Sequence, residues 1–278
     1  MAAAWQGKMD RRSYPHKMSD GPQYEPHEFF PVLLKLPQAA GEVVICGGQA
    51  VNLLAAVFLP ERQLEKILGR GNAMSADMDL VITKELQRQI VNLANKSQGF
   101  SLKTFADCRQ PIQFAIMPND MPDTRIDVMR SINGIHTEKD RVFEDAIDLD
   151  SSPYLVINPT TLLIAKAENC ATLEQDSPTE KRNDIKHLRL LIPIVHNYLQ
   201  KLVVNCDPES KSEQRDIMRF LKNIHAASKK TNFQKGMKLA HVKLYDAIPI
   251  ARIRKSKLKT LQNYLEQTFL GNPGMPPT

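Results

Sequence analysis

Apolar positions along this chain fall first into short runs of strand length and then, past residue 158, into helical spacing. Glu42-Val43-Val44-Ile45-Cys46 is an apolar run of the kind a buried strand shows, and Gly47-Gly48 follows it directly. From Ala50 to Leu59 the chain is apolar on nearly every side and is closed by Pro60, which predicts a buried helix. Met78 to Ile82, Leu102 to Phe105, Gln113 to Met117 and Arg125 to Met129 read as further strands. Between the first two of these, Leu86, Ile90, Leu93 and Ala94 recur on one face of a helix over 84–96. Phe29, Phe30, Val32, Leu33 and Leu34 predict a short amphipathic helix ahead of the first strand. A short polar helix is expected over 61–68, and the glycines of Gly69-Arg70-Gly71-Asn72 mark a loop. The pattern is α/β or α+β: a mixed sheet with flanking helices.

The second half reads as helix throughout. Asn158-Pro159 supplies an N-cap and a first-turn proline for a helix reaching Leu173. Ser177-Pro178-Thr179-Glu180 matches a capping box opening a helix through Asp184, Ile185, Leu188 and Leu191, which Pro193 is expected to disturb. Further helices fit 194–204, 208–228 and 255–269. The expected organisation is a loosely ordered arm over 1–27, an α/β domain over 28–157, a helical domain over 158–270 and an unstructured tail over 271–278.

Composition narrows the class. With 42% hydrophobic residues the chain can bury a substantial core, and no apolar run approaches the roughly 20 residues of a membrane-spanning helix. The expectation is a cytoplasmic protein. Cysteines 46, 108, 170 and 206 are far apart, so neither a zinc site nor a disulfide framework is indicated. The net charge of +6 is unevenly spread: from Lys201 onward there are 15 Lys/Arg against 6 Asp/Glu. A basic last third points to a polyanionic partner or to a solvated face. Arg252, Arg254, Lys255, Lys257 and Lys259 are its densest run, interleaved with Ile253 and Leu258.

The candidate chemistry centres on two acids. In a strand, residues i and i+2 share a face, so Asp77 and Asp79 project together while Met78 and Leu80 face the other way. Two carboxylates in one small volume favour a cation, and Mg²⁺ suits oxygen ligands shared with substrate phosphates; two solvated aspartates are the competing reading. Gly47-Gly48 lets backbone approach a phosphate at a helix N-terminus, and Ser75 offers a hydroxyl nearby. Asp127, between Ile126 and Val128, completes a three-carboxylate cluster if its strand lies beside that of Asp77. Lys166, among Leu162, Leu163, Ile164, Ala165 and Ala167, needs an anion if buried: a triphosphate, or Glu168 or Asp184. The seven histidines show no ligand cluster; His187, close to Asp184, is the one that lies near the candidate site.

In this order, Gly47-Gly48, then Ser75-Ala76-Asp77-Met78-Asp79-Leu80, then Ile126-Asp127-Val128 resembles the nucleotidyltransferase superfamily of the DNA polymerase β fold, over roughly residues 41–130. Asn158 to Lys166 and Lys181 to Leu188 are similar to the later lysine and aspartate motifs of the AbiE toxin (AbiEii) branch. The 28 residues from Gly47 to Ser75 exceed the common spacing. The resemblance implies a nucleotidyltransferase-type mixed sheet followed by a helical domain. It implies metals on Asp77, Asp79 and Asp127, normally two Mg²⁺ with Mn²⁺ as a substitute, and a triphosphate held by Gly47, Gly48, Ser75 and Lys166 with Asp184 positioning the lysine. The implied substrates are an NTP and an RNA or tRNA acceptor, with a toxin–antitoxin role and an antitoxin protein as partner. A small-molecule acceptor, as in aminoglycoside-modifying relatives, and a catalytically inactive nucleic-acid-binding module are the alternative readings.

Overall fold

A computed structural model of the chain describes residues 24–34, 36, 41–68, 75, 77–94, 99–104, 111–120, 124–175 and 182–270. Its frame is a six-stranded mixed sheet with flanking helices, in the order β3-β4-β5-β2-β1-β6. The strands are β1 (Val43–Cys46), β2 (Asp77–Ile82), β3 (Phe100–Thr104), β4 (Ile112–Pro118), β5 (Arg125–Met129) and β6 (Leu155–Val156). β1 runs antiparallel to β2, and β2 runs parallel to β5, the connection between them holding α4 (Lys84–Ala94), β3 and β4. β6, only two residues long, pairs in parallel with β1 and leads into the first long helix of the second half. A run this short carries no periodic signal, and the sequence does not reveal it.

Three helices precede β2 and differ in character. α1 (Pro26–Leu33) buries Phe29, Phe30, Val32 and Leu33, and α2 (Gly47–Phe58) starts at the residue after β1. Gly47-Gly48 is therefore the first turn of α2 and not a turn ahead of it. The sharp change of direction is taken by Gly47 itself, whose φ of +66° is open to glycine at little cost. α3 (Glu61–Leu68) is short and polar, and none of its residues is buried.

From Pro159 onward the regular elements among the described residues are all helices. Asn158 caps α5 (Pro159–Thr172) by accepting the Thr160 N–H at 2.9 Å, as Asn-Pro predicts. Nearly every side chain of α5 is buried. At Gly236, in α8 (Thr231–Leu239, after α7, Lys211–Ser228), a Cβ would lie 2.0 Å from the Ala167 carbonyl oxygen, so α8 and α5 touch backbone to backbone. α6 (Asp184–Asn205) is one continuous helix, against the expectation of a break at Pro193. Leu190, Leu191, Ile192, Ile194 and Val195 around the proline are all buried, and their packing offsets the lost backbone hydrogen bond. α2 and α6 run side by side in the same direction. His187 lies against Gly48, and ten residues on along each helix the Asn197 amide donates to the Phe58 carbonyl at 2.8 Å.

The expected helix over 255–269 is instead α9 (Ile250–Lys255), α10 (Lys259–Leu265) and a π turn over Glu266–Leu270. Ser256 ends α9: its hydroxyl donates to the Ile253 carbonyl and accepts from the Leu258 N–H, a local alternative to helix hydrogen bonds. The capping box at Ser177–Glu180, the arm up to residue 23, the tail 271–278 and Cys108 lie outside the described residues. Cys46, Cys170 and Cys206 are free and buried. No helix among the described residues is long and apolar enough to cross a membrane.

Candidate active site

The acid cluster follows from strand register. Met78 and Leu80 are fully buried, which fixes β2 so that Asp77 and Asp79 share the other face. In the parallel pair with β5, Asp79 stands opposite Asp127 and Asp77 opposite Arg125. The carboxylates of Asp77, Asp79 and Asp127 each place an oxygen within 4.8 Å of the others. Asp127 is buried at 1% exposure, and the Asp77 side chain keeps 30%. Oxygen donors alone, clustered this closely, fit a hard divalent cation.

The helix start forms the adjoining wall. Because Cys46 pairs with Asp79, the chain leaving β1 turns directly over the Asp79 carboxylate. A Cβ on Gly47 would lie 1.7 Å from Asp79 Oδ2, and one on Gly48 would lie 3.0 Å from both the Ser75 Cβ and His187 Cε1. The site thus has a cradle that only glycine leaves open, beside the free N–H groups of a 12-residue helix. Ser75 donates its hydroxyl to Asp77 Oδ1 at 2.8 Å, so in this state it orients an acid.

Gln49, which the sequence does not single out, is fully buried. Its amide nitrogen donates to the Tyr24 carbonyl at 2.9 Å and to the Ser75 carbonyl at 3.0 Å. It fastens the segment before β2 to α2. A buried glutamine one residue beyond Gly-Gly is a readable signal for such a clamp, since an amide in a core needs partners.

α5 and α6 bring a cationic group to the opposite side. Lys166 Nζ donates to Asp184 Oδ1 at 2.7 Å, and Arg182 Nε donates to Asp184 Oδ2 at 2.8 Å. Burial works against the charged form of Asp184, yet the two cations prevail and hold its carboxyl well below the usual carboxylate range. Of the partners open to Lys166, the structure pairs it with Asp184. At Glu168, the Cγ would meet a Cβ added to Gly134 at 2.4 Å. Neither Arg182 nor the contact of His187 with Gly48 is assigned from sequence, because both depend on how α6 lies along α2.

Burial raises the Asp79 carboxyl to about 7, and Asp77 and Asp127 add to the rise while Lys166 and Arg182 oppose it. The same field reaches Cys46: burial pushes its thiol well above the ordinary value, and Asp79 adds to this. Lys166, Arg182 and the other two acids therefore all act electrostatically on Asp79. The strongest surprise is Arg125. Its Nε forms an ion pair with Asp127 Oδ2 at 3.0 Å, and its Nη2 donates to Asp77 Oδ2 at 3.5 Å. The i, i+2 rule that pairs Asp77 with Asp79 also places Arg125 on the face of Asp127.

No family model matches the sequence, and no curated protein matches it. Among solved structures, the chain is similar to the crystal structure of the Megavirus polyadenylate synthase, with 12% identity and a TM-score of 0.42. The likeness covers 72% of this chain and 39% of that one, so the chain spans about two fifths of the viral protein's length.

The basic run near the end of the chain is not one continuous stripe. Ile253 and Leu258 are buried, Arg254 pairs with Glu266 at 3.0 Å, and Arg252, Lys255, Lys257 and Lys259 are exposed. Arg252, Lys255 and Lys257 edge a shallow hollow of about 280 Å³ against Val203 and Val204 of α6.

Proposed function

We propose that the protein is a nucleotidyltransferase that moves a nucleoside monophosphate from an NTP to an acceptor hydroxyl. The observation that carries this reading is the in-register cluster of Asp77, Asp79 and Asp127 under the glycine start of α2. Asp77, Asp79 and Asp127 are the residues to hold divalent ions, Mg²⁺ first and Mn²⁺ as substitute. When bound, two such ions stabilise the attacking and leaving oxygens of an in-line displacement. Gly47 and Gly48 leave room for the triphosphate at the α2 N-terminus, Ser75 holds Asp77, and Lys166 adds positive charge from the far wall, oriented by Asp184. Asp127 takes the proton of the acceptor hydroxyl. The acceptor oxygen then bonds to the α-phosphorus, the bond from that phosphorus to the β-bridging oxygen breaks, and pyrophosphate leaves.

In this reading residues 28–157 form the catalytic domain, and 158–270 a helical domain that supplies Lys166 and Asp184. The excess of Lys/Arg after Lys201 supports RNA, tRNA in particular, as acceptor. The motifs around Lys166 and Asp184 support the further reading of a bacterial toxin restrained by an antitoxin protein. The test is incubation with each labelled NTP, Mg²⁺ and total RNA. Label is expected on RNA with the intact protein and absent with Asp79→Ala. Label on a small acceptor moves the assignment to the aminoglycoside-type reaction, and absence of both transfer and NTP binding removes the enzyme reading. For the toxin role, expression of the intact protein should slow bacterial growth and the Asp79→Ala form should not.

A further inference from the structure

Arg125 sits where bound ions would bring their charge. One planar guanidinium spans Asp77 and Asp127, two of the three carboxylates whose oxygens lie within 4.8 Å of one another. A rigid fork matches two carboxylates in a way a lysine ammonium does not. The register of β2 and β5 places Arg125 opposite Asp77, and strand period turns it to the face of Asp127. Asp127 is buried while the Arg125 side chain keeps 44% of its surface exposed. The group is thus anchored at the outer end of the cluster and has open space to turn into.

We propose that Arg125 is the resident counter-cation of the acid cluster. It holds Asp77 and Asp127 in place before divalent ions bind, gives up those oxygens when the ions arrive, and then faces the substrate's phosphates. The proposal rests on the metal-dependent reading above. Three carboxylates packed this closely repel one another, and a guanidinium offsets that repulsion. A divalent ion competing for the same oxygens meets like charge, so the guanidinium opposes ion binding when no phosphate is present. Once displaced, its donors suit phosphate oxygens as well as they suited carboxylates. Arg125 is then a positioning residue whose removal has opposite effects on the two ligands. A merely structural role would weaken both together.

The test measures Mn²⁺ binding to the full chain at pH 8 from the paramagnetic resonance signal of the free ion, with inorganic triphosphate as a second ligand titrated separately in the presence of Mn²⁺. Arg125→Gln is expected to tighten Mn²⁺ about fivefold without triphosphate, the order of one removed charge in partly screened surroundings. The same variant is expected to weaken triphosphate binding about tenfold, the order of a lost charge-assisted hydrogen bond. Arg125→Lys keeps the charge and is expected to restore the wild-type Mn²⁺ affinity, with triphosphate affinity between the other two. Unchanged or weaker Mn²⁺ binding in Arg125→Gln overturns the proposal. Asp79→Asn serves as the control for the underlying reading: if it binds Mn²⁺ as the wild type does, the acids are not a metal site, and the role given to Arg125 falls with it.

Discussion

Gly47 and Asp79 are packed so closely that no side chain fits between them: a Cβ on Gly47 would stand 1.7 Å from Asp79 Oδ2. The contact arises because β1 ends opposite Asp79 and α2 begins at once, so the first helical residue lies over the second acid. Gly47→Ala therefore has to displace the Asp79 carboxylate, and it also forces an L side chain into a φ of +66°. The expected result is loss of nucleotide transfer together with destabilisation of about 1 to 3 kcal/mol from strain and overpacking. Denaturant unfolding and the labelling assay measure the two effects separately. A fully active Gly47→Ala protein would show that the carboxylate position is not critical.

Asp79 also links the site to pH. Its carboxyl is raised from the ordinary 3.8 to about 7, so between those values the folded chain holds a proton that the unfolded chain has released. Stability then falls as pH rises through this window, because the unfolded state binds fewer protons there. Asp79→Asn removes the ionisation. The variant is expected to match the wild type near pH 4, where both side chains are neutral, and to melt at a higher temperature at pH 8. Mg²⁺ is expected to raise the wild-type melting temperature at pH 8 and to leave Asp79→Asn less affected. Thermal melts at both pH values, with and without Mg²⁺, give the comparison.

The pair Lys166–Asp184 predicts the opposite sign. Burial favours the neutral acid, but Lys166 and Arg182 hold Asp184 below the usual range, so its contribution to stability is full above about pH 4. That contribution is lost as pH falls further. Asp184→Ala leaves the buried Lys166 ammonium without the carboxylate 2.7 Å away and is expected to cost about 3 to 5 kcal/mol. The double variant Lys166→Met, Asp184→Leu is expected to recover much of that stability with no recovery of nucleotide transfer, which separates the structural share of the pair from its proposed phosphate contact. Urea unfolding of the three proteins decides it.

Much of this site is legible in the chain because it rests on local rules. Strand period alone places Asp77 and Asp79 on one face, and the apolar neighbours of Asp127 and Lys166 announce buried charges that need partners. The same period, applied once more, points to Arg125 beside Asp127. What the local pattern cannot supply is register and helix placement. That Asp79 stands opposite Asp127 depends on a connection of more than forty residues returning β5 beside β2. His187 reaches Gly48 because α6 lies along α2, a matter of packing between distant segments. Local rules also mislead where tertiary packing outweighs them, as at Pro193, and where a single hydroxyl outweighs periodicity, as at Ser256.

Gln49 carries the last prediction because it acts on the acids from behind. Its amide is the link between α2 and both Tyr24 and Ser75, and Ser75 in turn orients Asp77 through its hydroxyl. Gln49→Met keeps the volume and removes the donor, so two backbone carbonyls lose that partner in the interior. The expected cost is about 1 to 3 kcal/mol in unfolding free energy. If the link works through Ser75, the variant also binds Mn²⁺ more weakly, and Ser75→Ala shows the same weakening with little loss of stability. If Gln49 only fastens the segment at Tyr24, the stability loss appears and Mn²⁺ affinity stays at its wild-type value. Measuring both quantities on both variants distinguishes a clamp that shapes the acid cluster from one that merely holds the fold.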